Sequence, residues 1–194
     1  MNILVLGPQG SGKGTQAKRI TATYGIPHIA TGDMLREMRE QPTDLGRELK
    51  EVMDRGDLVP DEMMIELIRD RLSRGDTDGG FVLDGFPRTM PQAEALDELL
   101  RELDRALDVV FDFQVPDREV LLQRMLQRAA AEGRADDTPD AIARRLELYE
   151  RETAPLVEYY RTHQANVVGV HADRAVEEVF EEIQRSLESV EARA

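Results

Sequence analysis

Gly7-Pro8-Gln9-Gly10-Ser11-Gly12-Lys13-Gly14-Thr15 is a glycine-rich loop with a strand pattern before it and a helix pattern after it. The preceding run Ile3-Leu4-Val5-Leu6 is apolar, and the helical pattern extends from about Lys13 to Tyr24. Strand, glycine-rich loop, lysine and helix in this order are the context that a phosphate-binding loop requires. Its backbone N–H groups and the positive end of the helix would face an anion. Lys13 can reach the outer phosphates of a nucleotide, and Thr15 offers a hydroxyl group for magnesium.

The composition favours one medium-sized domain spanning residues 1–194. Hydrophobic residues make up 41% of the chain, but only 5% of residues are aromatic and Trp is absent, so we expect a core of Leu, Val, Ile and Met. The chain has no Cys, which excludes disulfides and thiolate metal sites and fits a reducing cytoplasm. No apolar run approaches the ~18 residues of a membrane span, so we expect no membrane association.

The charge balance is strongly acidic, with a formal net charge of −14. Such a chain is a poor general binder of the nucleic-acid backbone, so no nucleic-acid partner is expected. A phosphate-bearing ligand must instead be captured where Arg and Lys residues are locally concentrated.

Strand and helix patterns alternate along the whole chain. After the first strand, short strands are predicted within 25–30 and at 81–84, 109–115 and 167–170. The helices between them are expected to start at Thr31-Gly32-Asp33, Pro42-Thr43-Asp44, Asp61, Thr89, Pro116-Asp117, Thr138-Pro139 and Val176. The alternation predicts an α/β fold, a five-stranded parallel sheet with helices on both faces in three layers, with ligands beyond the carboxyl ends of the strands.

Three local patterns carry further expectations. Residues 30–59 have helical content but little apolar material, which favours a small insertion outside the core. The polar run from Glu132 to Asp137 predicts an exposed loop, and Pro155 should break the preceding helix near Ala154. The three histidines show neither metal-ligand spacing nor a paired acid.

Several charged residues are expected near the phosphate loop. Arg88 follows a strand end, and Arg124 and Arg128 share one helix face. Cations converging on such a loop suit phosphoryl transfer, because its transition state spreads negative charge over several oxygens. Asp84 ends a neighbouring strand and is a candidate for holding magnesium, directly or through water, although it could also cap a helix.

The chain resembles the adenylate kinases, a branch of the nucleoside monophosphate kinases with a P-loop fold. Thr15 stands one place later than the hydroxyl residue of the generic loop, as the Gly-Lys-Gly-Thr ending of this family requires. Further matching motifs are Thr31-Gly32-Asp33-Met34-Leu35-Arg36, Leu58-Val59-Pro60, Asp84-Gly85-Phe86-Pro87-Arg88-Thr89 with Gln92, and Gly133-Arg134-Ala135-Asp136-Asp137 with Arg145-Leu146. The resemblance covers nearly the whole chain.

The resemblance implies reversible transfer of the terminal phosphate of Mg·ATP to AMP, giving two ADP. It implies that ATP is bound by Gly10, Ser11, Gly12, Lys13, Gly14, Thr15, Arg124 and Arg174. It implies that AMP is bound by Thr31, Arg36, Asp57, Leu58, Val59, Gly85, Phe86, Pro87, Arg88, Gln92, Arg134 and Arg145. The catalytic residues would be Lys13, Arg88, Arg124, Arg134 and Arg145, with Arg145 preferred to Arg144 because it directly precedes Leu146. Asp84 would orient the waters of Mg²⁺.

The resemblance also implies a division of the chain into a core (1–29, 60–127 and 138–194), an AMP-binding insertion (30–59) and a short lid segment (128–137). The insertion and the lid segment should move to close over the nucleotides. The short lid segment has no Cys cluster, so no zinc is expected. In the loop, Pro8-Gln9 replaces the usual x-Pro of the family, and we expect altered loop stiffness rather than lost binding.

Two other functions remain open at this point. A uridylate or cytidylate kinase would share the fold, although Thr31 and Gln92 match the adenylate pattern. A nucleotide-binding protein without transferase activity would not need Arg88, Arg134 and Arg145 around two sites. The resemblance implies a cytoplasmic monomer that acts on ATP, AMP and ADP.

Overall fold

The computed structural model describes residues 1–134, 136–163 and 166–192. Its strands form one sheet of five, β1 (Asn2–Leu6), β2 (His28–Ala30), β3 (Phe81–Asp84), β4 (Val109–Gln114) and β5 (Val167–His171). Every neighbouring pair is parallel, in the order β2-β3-β1-β4-β5. The predicted parallel sheet is confirmed, and the carboxyl ends of all five strands lie at one edge.

Helices separate the strands along the chain. They are α1 (Lys13–Tyr24), α2 (Thr31–Arg39), α3 (Asp44–Arg55), α4 (Asp61–Leu72), α5 (Met90–Glu102), α6 (Arg118–Glu132), α7 (Pro139–Leu148), α8 (Leu156–His163) and α9 (Val176–Glu191). Side-chain caps start several of them: Thr43 accepts a hydrogen bond from the Gly46 N–H, Asp117 from the Glu119 N–H and Thr138 from the Ala141 N–H. No helix in the described ranges is long and apolar enough to cross a membrane.

One helix start differs from the sequence-based expectation, and one helix break is confirmed. Thr31-Gly32-Asp33 forms the first turn of α2 itself, and Ala30 takes the cap position. The helix before Pro155 ends at Ala154 as predicted, after a π-helical segment, Tyr149–Thr153, in which the Ala154 N–H donates to the Tyr149 carbonyl. Proline has no N–H to continue the α-helical bonding, so the chain widens one turn before it and resumes as α8.

Alternate side chains of the strands pack on opposite faces of the sheet. Leu4 and Leu83 belong to one buried cluster, whereas Ile3, Val82 and Phe111 belong to the cluster on the other face. This alternation confirms the prediction of helices on both faces, because each cluster is completed by helical residues.

The insertion contributes to the core, contrary to the expectation from its low apolar content. Leu35, Leu49, Met53 and Val59 are all at least 93% buried and belong to the same cluster as Leu83. Few apolar residues suffice because Leu49 and Met53 lie four apart on one face of α3. The interpretation of these side chains as lying outside the core was wrong.

Candidate active site

The carboxyl ends of the strands open into a cleft of about 640 Å³. Most of the residues singled out from the sequence line it together. They are Gly10, Ser11, Gly12, Lys13, Gly14, Thr15, Arg36, Asp57, Leu58, Val59, Asp84, Gly85, Pro87, Arg88, Gln92, Arg124, Arg134, Arg145 and Arg174. The parallel topology explains this convergence, because loops that follow parallel strands meet at one edge.

Thr31 and Phe86 lie behind the cleft wall. Thr31 is fully buried, and its hydroxyl donates a hydrogen bond of 3.2 Å to the carbonyl of Asp84. Phe86 is 1% exposed and packs in the core. In this arrangement both residues support the turn after β3, and neither side chain faces the cleft. Ala135, in the fourth of the family motifs, lies outside the described residues.

The phosphate loop holds Lys13 tightly. Its ammonium group donates to the carbonyl oxygens of Gly7 (2.7 Å) and Pro8 (2.8 Å). Burial, with smaller effects from the positive charges of Arg88 and Arg128, lowers the pKa of Lys13 to about 8, although Asp84 opposes the shift. The two carbonyl groups are neutral and compensate the charge of the Lys13 ammonium group only in part. A phosphate that displaced them would supply the missing negative charge.

The loop leaves no room for a side chain at Gly10. Its φ is +84°, and a Cβ there would lie 2.8 Å from the carbonyl oxygen of Leu121. Neighbouring Gln9 lines the cleft, and its amide oxygen is buried without a hydrogen-bond partner among the described residues. The loop is thus packed against α6 on one side and open to the cleft on the other.

Asp84 is an ionised carboxylate beside this loop. Burial raises its pKa, but the adjacent His28 side chain and the positive charges of Lys13 and Arg88 outweigh that effect, so the pKa lies below its usual range. The alternative role as a helix cap is wrong, because Thr89 caps α5. Among the described residues no group of three or more His, Cys, Asp or Glu could hold a metal. Mg²⁺ is typically held by one or two carboxylates with phosphates and waters, so a single ionised Asp84 fits it.

His28 has an acidic partner that sequence reasoning missed. Its Nε2 lies 3.4 Å from Oδ2 of Asp84, and both side chains are largely buried. The contact arises because β2 pairs with β3 in the sheet. Strand order was not predictable from the alternation of elements, so the expectation of an unpaired histidine was wrong.

Three arginines that line the cleft, Arg36, Arg88 and Arg145, form what we call the cationic wall. Burial and the positive charges of Arg145 and Arg36 lower the pKa of Arg88 to about 10, against the opposing effect of Asp84. Arg88 donates from Nε to the Gly85 carbonyl at 2.8 Å, which fixes the guanidinium plane. Cations packed this closely favour a bound dianion, and guanidinium groups match phosphate oxygens geometrically.

Two carboxylates of the lid segment hold Arg145, one arginine of this wall. Asp136 and Asp137 are only 1% and 4% exposed, so the expectation of an exposed loop was wrong for them. Arg145 donates to Asp136 (2.8 Å) and to Asp137, and Arg128 donates to Asp137 (2.7 Å). The polar sequence suggested solvent, but cations on α6 and α7 make burial of these acids tolerable. Arg144, the neighbour of Arg145, pairs instead with Asp57 at 3.0 Å.

The remaining predicted arginines also line the cleft. Arg124 donates to the Ala172 carbonyl at 2.9 Å, and Arg174 donates to the His171 carbonyl at 3.1 Å. Arg134 pairs with Glu132 at 2.5 Å. Val176 and Val179 belong to the same lining. Flat guanidinium groups beside apolar side chains suit a stacked aromatic base.

The cleft lining also includes four apolar side chains and Gln92, which we call the apolar slot. They are Leu35, Met53, Val59, Met64 and Gln92. Gln92 accepts a hydrogen bond from the Arg88 N–H (2.8 Å) and donates one to Asp61 (2.7 Å). An amide nitrogen has two hydrogens, so a second donor remains on Gln92. Val59 was among the predicted AMP-binding residues, but sequence reasoning missed Leu35, Met53 and Met64, whose helical spacing also fits ordinary core positions.

Residues 5–165 match the family model described as adenylate kinase. The chain belongs to the adenylate kinase family. It is 42% identical to an adenylate kinase of Methanothrix thermoacetophila over 96% of this chain and 98% of the relative. It is 40% identical to an adenylate kinase of Archaeoglobus fulgidus over 99% of this chain and the whole of the relative. An adenylate kinase of Bifidobacterium longum is 49% identical over 87% of this chain and 90% of the relative.

Family membership makes the chain a nucleoside monophosphate kinase that transfers phosphate between ATP and AMP. The pyrimidine monophosphate kinase and the non-catalytic nucleotide-binding protein are not favoured, since the adenylate kinase relatives match the chain over nearly its whole length.

Proposed function

We propose that the phosphate loop holds the donor, Mg·ATP, and that the cationic wall holds the acceptor, AMP, in the same cleft. The observation that carries this proposal is that Lys13 and Arg88 line the same cleft. Lys13 belongs to the loop, Arg88 belongs to the wall, and the charge of Arg88 lowers the pKa of Lys13. Because the two cations are close enough to interact, a donor phosphate and an acceptor phosphate can meet between them.

On the donor side, Gly10 to Thr15 bind the ATP phosphates through backbone N–H groups, the Lys13 ammonium and the Thr15 hydroxyl. Arg124 lies over the adenine and helps to close the lid segment, and Arg174 also contacts the adenine. Asp84 and Thr15 would hold Mg²⁺, Asp84 through water, and the bound ion would neutralise phosphate charge. The ionised state of Asp84 supports this role.

On the acceptor side, Arg36 and Arg88 bind the AMP phosphate. The base lies in the apolar slot, where Gln92 and the backbone of Asp57, Leu58 and Val59 recognise its edge. Gly85 and Pro87 form the adjoining wall. Thr31 and Phe86 lie behind this wall of the cleft and support it. The Thr31 hydroxyl reaches the base only if its hydrogen bond to the Asp84 carbonyl breaks. The lining of the slot supports a planar base at this position.

Transfer needs no general base in this proposal. An oxygen of the AMP phosphate, already an anion, forms a bond to the γ-phosphorus of ATP. The bond from that phosphorus to the β–γ bridging oxygen breaks, and ADP leaves as a second ADP forms. Lys13, Arg88, Arg124, Arg134 and Arg145 offset the negative charge of the transferring group.

Water must be excluded during transfer, because it would otherwise hydrolyse ATP. We propose that the insertion (30–59) and the lid segment (128–137) close over the nucleotides against the core (1–29, 60–127 and 138–194). We further propose a cytoplasmic monomer with ATP, AMP and ADP as its partners and no zinc, nucleic acid or membrane. The absence of Cys and the net charge of −14 support this setting.

The role of Arg88 is tested by Arg88→Ala, with Arg101→Ala on the exposed face of α5 as the matched control. We expect kcat to fall by about 10²-fold or more in Arg88→Ala, as for the loss of one preorganised transition-state donor. Arg101→Ala should retain wild-type kcat and KM. The measurement is ADP formation in a coupled assay at saturating ATP and AMP. An unchanged kcat in Arg88→Ala would contradict the assignment of the cationic wall.

A further inference from the structure

Arg39, in the last turn of α2, is a nearly buried arginine, with a side chain only 10% exposed. Arginine is seldom buried unless it is paired. Its charged neighbours come from three segments. Nη1 lies 3.1 Å from Oδ1 of Asp136 in the lid segment and 3.9 Å from Oδ1 of Asp54 on α3. Nε lies 3.2 Å from the adjacent Glu40.

Asp136 is shared between Arg39 and Arg145. Its other oxygen, Oδ2, accepts a hydrogen bond of 2.8 Å from Nη2 of Arg145. Burial raises the pKa of Asp136, but the hydrogen bond and charge of Arg145, helped by the charge of Arg39, hold it below its usual range. One buried carboxylate thus connects an arginine of the insertion to an arginine of the cleft wall.

The insertion also touches Arg145 directly. Nη2 of Arg145 donates to the Met53 carbonyl at 3.1 Å, at the end of α3 that carries Asp54. Arg145 is therefore oriented from two sides by the insertion, once through the backbone and once through Arg39 and Asp136. A movement of α2 and α3 must change the orientation of Arg145.

Nη1 of Arg39 lies near Asp54 and Asp136 without a hydrogen bond to either. Within the described residues, Nη1 of Arg39, Oδ1 of Asp54 and Oδ1 of Asp136 are buried atoms that make no directional hydrogen bond. Buried polar atoms are nearly always hydrogen-bonded, and leaving them unpaired is costly. A small displacement of the insertion relative to the lid segment would let Nη1 bond to Asp136, so that closure improves this contact.

We propose that Arg39 is a positioning residue that couples the acceptor site to the phosphate clamp. It ties the insertion to Asp136, and Asp136 orients Arg145. The cleft wall in the described part of the chain is formed without Arg39, so the residue acts through Asp136 and not by touching nucleotide. The inference rests on the proposed role of Arg145 at the transferring phosphate.

The test uses a bisubstrate ligand, two adenosines joined through five phosphates, which needs both sites closed at once. In Arg39→Gln we expect its affinity to fall about tenfold, within the usual range of coupling between sites. The affinities for ATP alone and for AMP alone should change less than about twofold, since each occupies one site. Calorimetric titration of the full-length enzyme measures all three.

Three further variants separate positioning from general destabilisation. Arg47→Gln removes an exposed arginine of the same insertion, whose partner Asp44 is fully exposed, and should match wild type. Arg39→Lys keeps the positive charge and should recover most of the bisubstrate affinity. If Arg39→Gln does not fold, Arg39→Met replaces it, because methionine fills a similar volume without a polar group. Its affinity for the bisubstrate ligand should also fall about tenfold.

A double-mutant cycle with Asp136→Asn tests the route. If Arg39 acts through Asp136, Arg39→Gln should cost less than about twofold in the Asp136→Asn background. Full additivity, an unchanged bisubstrate affinity, or equal losses for ATP, AMP and the bisubstrate would each overturn the proposal. If wild type itself did not bind the bisubstrate better than ATP, the two-site function would fail instead.

Discussion

The phosphate loop holds the ammonium group of Lys13, which we expect to bind the phosphates of ATP. The carbonyls of Gly7 and Pro8 accept its hydrogen bonds, and burial, with smaller effects from Arg88 and Arg128, lowers its pKa. Phosphates would replace the carbonyls with full negative charges and stabilise the ammonium form. Nucleotide binding is therefore linked to the protonation of one side chain.

This linkage predicts that ATP affinity decreases above pH 8. In the free enzyme the pKa of Lys13 is lowered from 10.5 to about 8, and bound phosphates raise it again. Below pH 8 Lys13 is already charged and affinity should be nearly constant. Above pH 8 binding requires proton uptake, so affinity should fall by up to about tenfold per pH unit until the pKa of the complex is reached. Calorimetry with ATP between pH 7 and 9.5 measures the slope.

Lys13→Arg is the control for this prediction, because arginine stays protonated over the whole range. We expect weaker binding with no slope above pH 8. The same slope in Lys13→Arg and wild type would show that another group titrates.

The site residues were predictable from the sequence, but the side chains that they contact were not. Lys13, Arg36, Arg88 and Arg145 were found because their spacing follows a family pattern, and they do line one cleft. The burial of Asp136 and the pairing of His28 with Asp84 were not predicted. Both depend on residues distant in the chain, Arg145 and the neighbouring strand β3, whose proximity exists only in the folded molecule.

Gly56, at the end of α3, decides how closely the insertion approaches α7. Its φ is +76°, and a Cβ there would lie 2.5 Å from the Ala141 carbonyl oxygen. A glycine is therefore required both by the helix end and by the contact between the two elements.

Gly56→Ala should destabilise the protein more than Gly25→Ala. Gly25 ends α1 with a similar φ of +69°, but no atom lies within 4 Å of a Cβ there. Gly25→Ala should cost only the left-handed strain, about 1 kcal/mol. Gly56→Ala adds the collision with α7, which costs a further ~2 kcal/mol. Urea unfolding of both variants measures the difference, and equal losses would contradict the close packing.

Elements were predicted well where the signal is local. The caps at Thr43, Asp117 and Thr138 and the limits of α1 and α4 follow from adjacent residues, and they are confirmed. The π-helical segment before Pro155 and the packing of Leu49 and Met53 into the core were not predicted. These depend on how a helix fits its neighbours, which propensity and periodicity do not describe.

For the whole molecule, alternation of strands and helices was enough to predict a parallel sheet and a ligand site at its carboxyl edge. The order β2-β3-β1-β4-β5 was not predictable in this way, and it is this order that brings the phosphate loop after β1 beside Asp84 on β3. The proposed function depends on that adjacency, since we assign the donor site to one strand end and Arg88, which follows the neighbouring strand, to the acceptor site.

The central claim is that one cleft aligns ATP on the loop with AMP on the facing cationic wall. The most direct test is the initial rate of ADP formation from Mg·ATP with AMP, CMP, UMP or GMP as the acceptor, at equal concentrations. The account predicts a clear preference for AMP, because it assigns the adenine to the slot that Met53, Met64 and Gln92 line. A preference for CMP or UMP, or hydrolysis of ATP without any acceptor dependence, would contradict it.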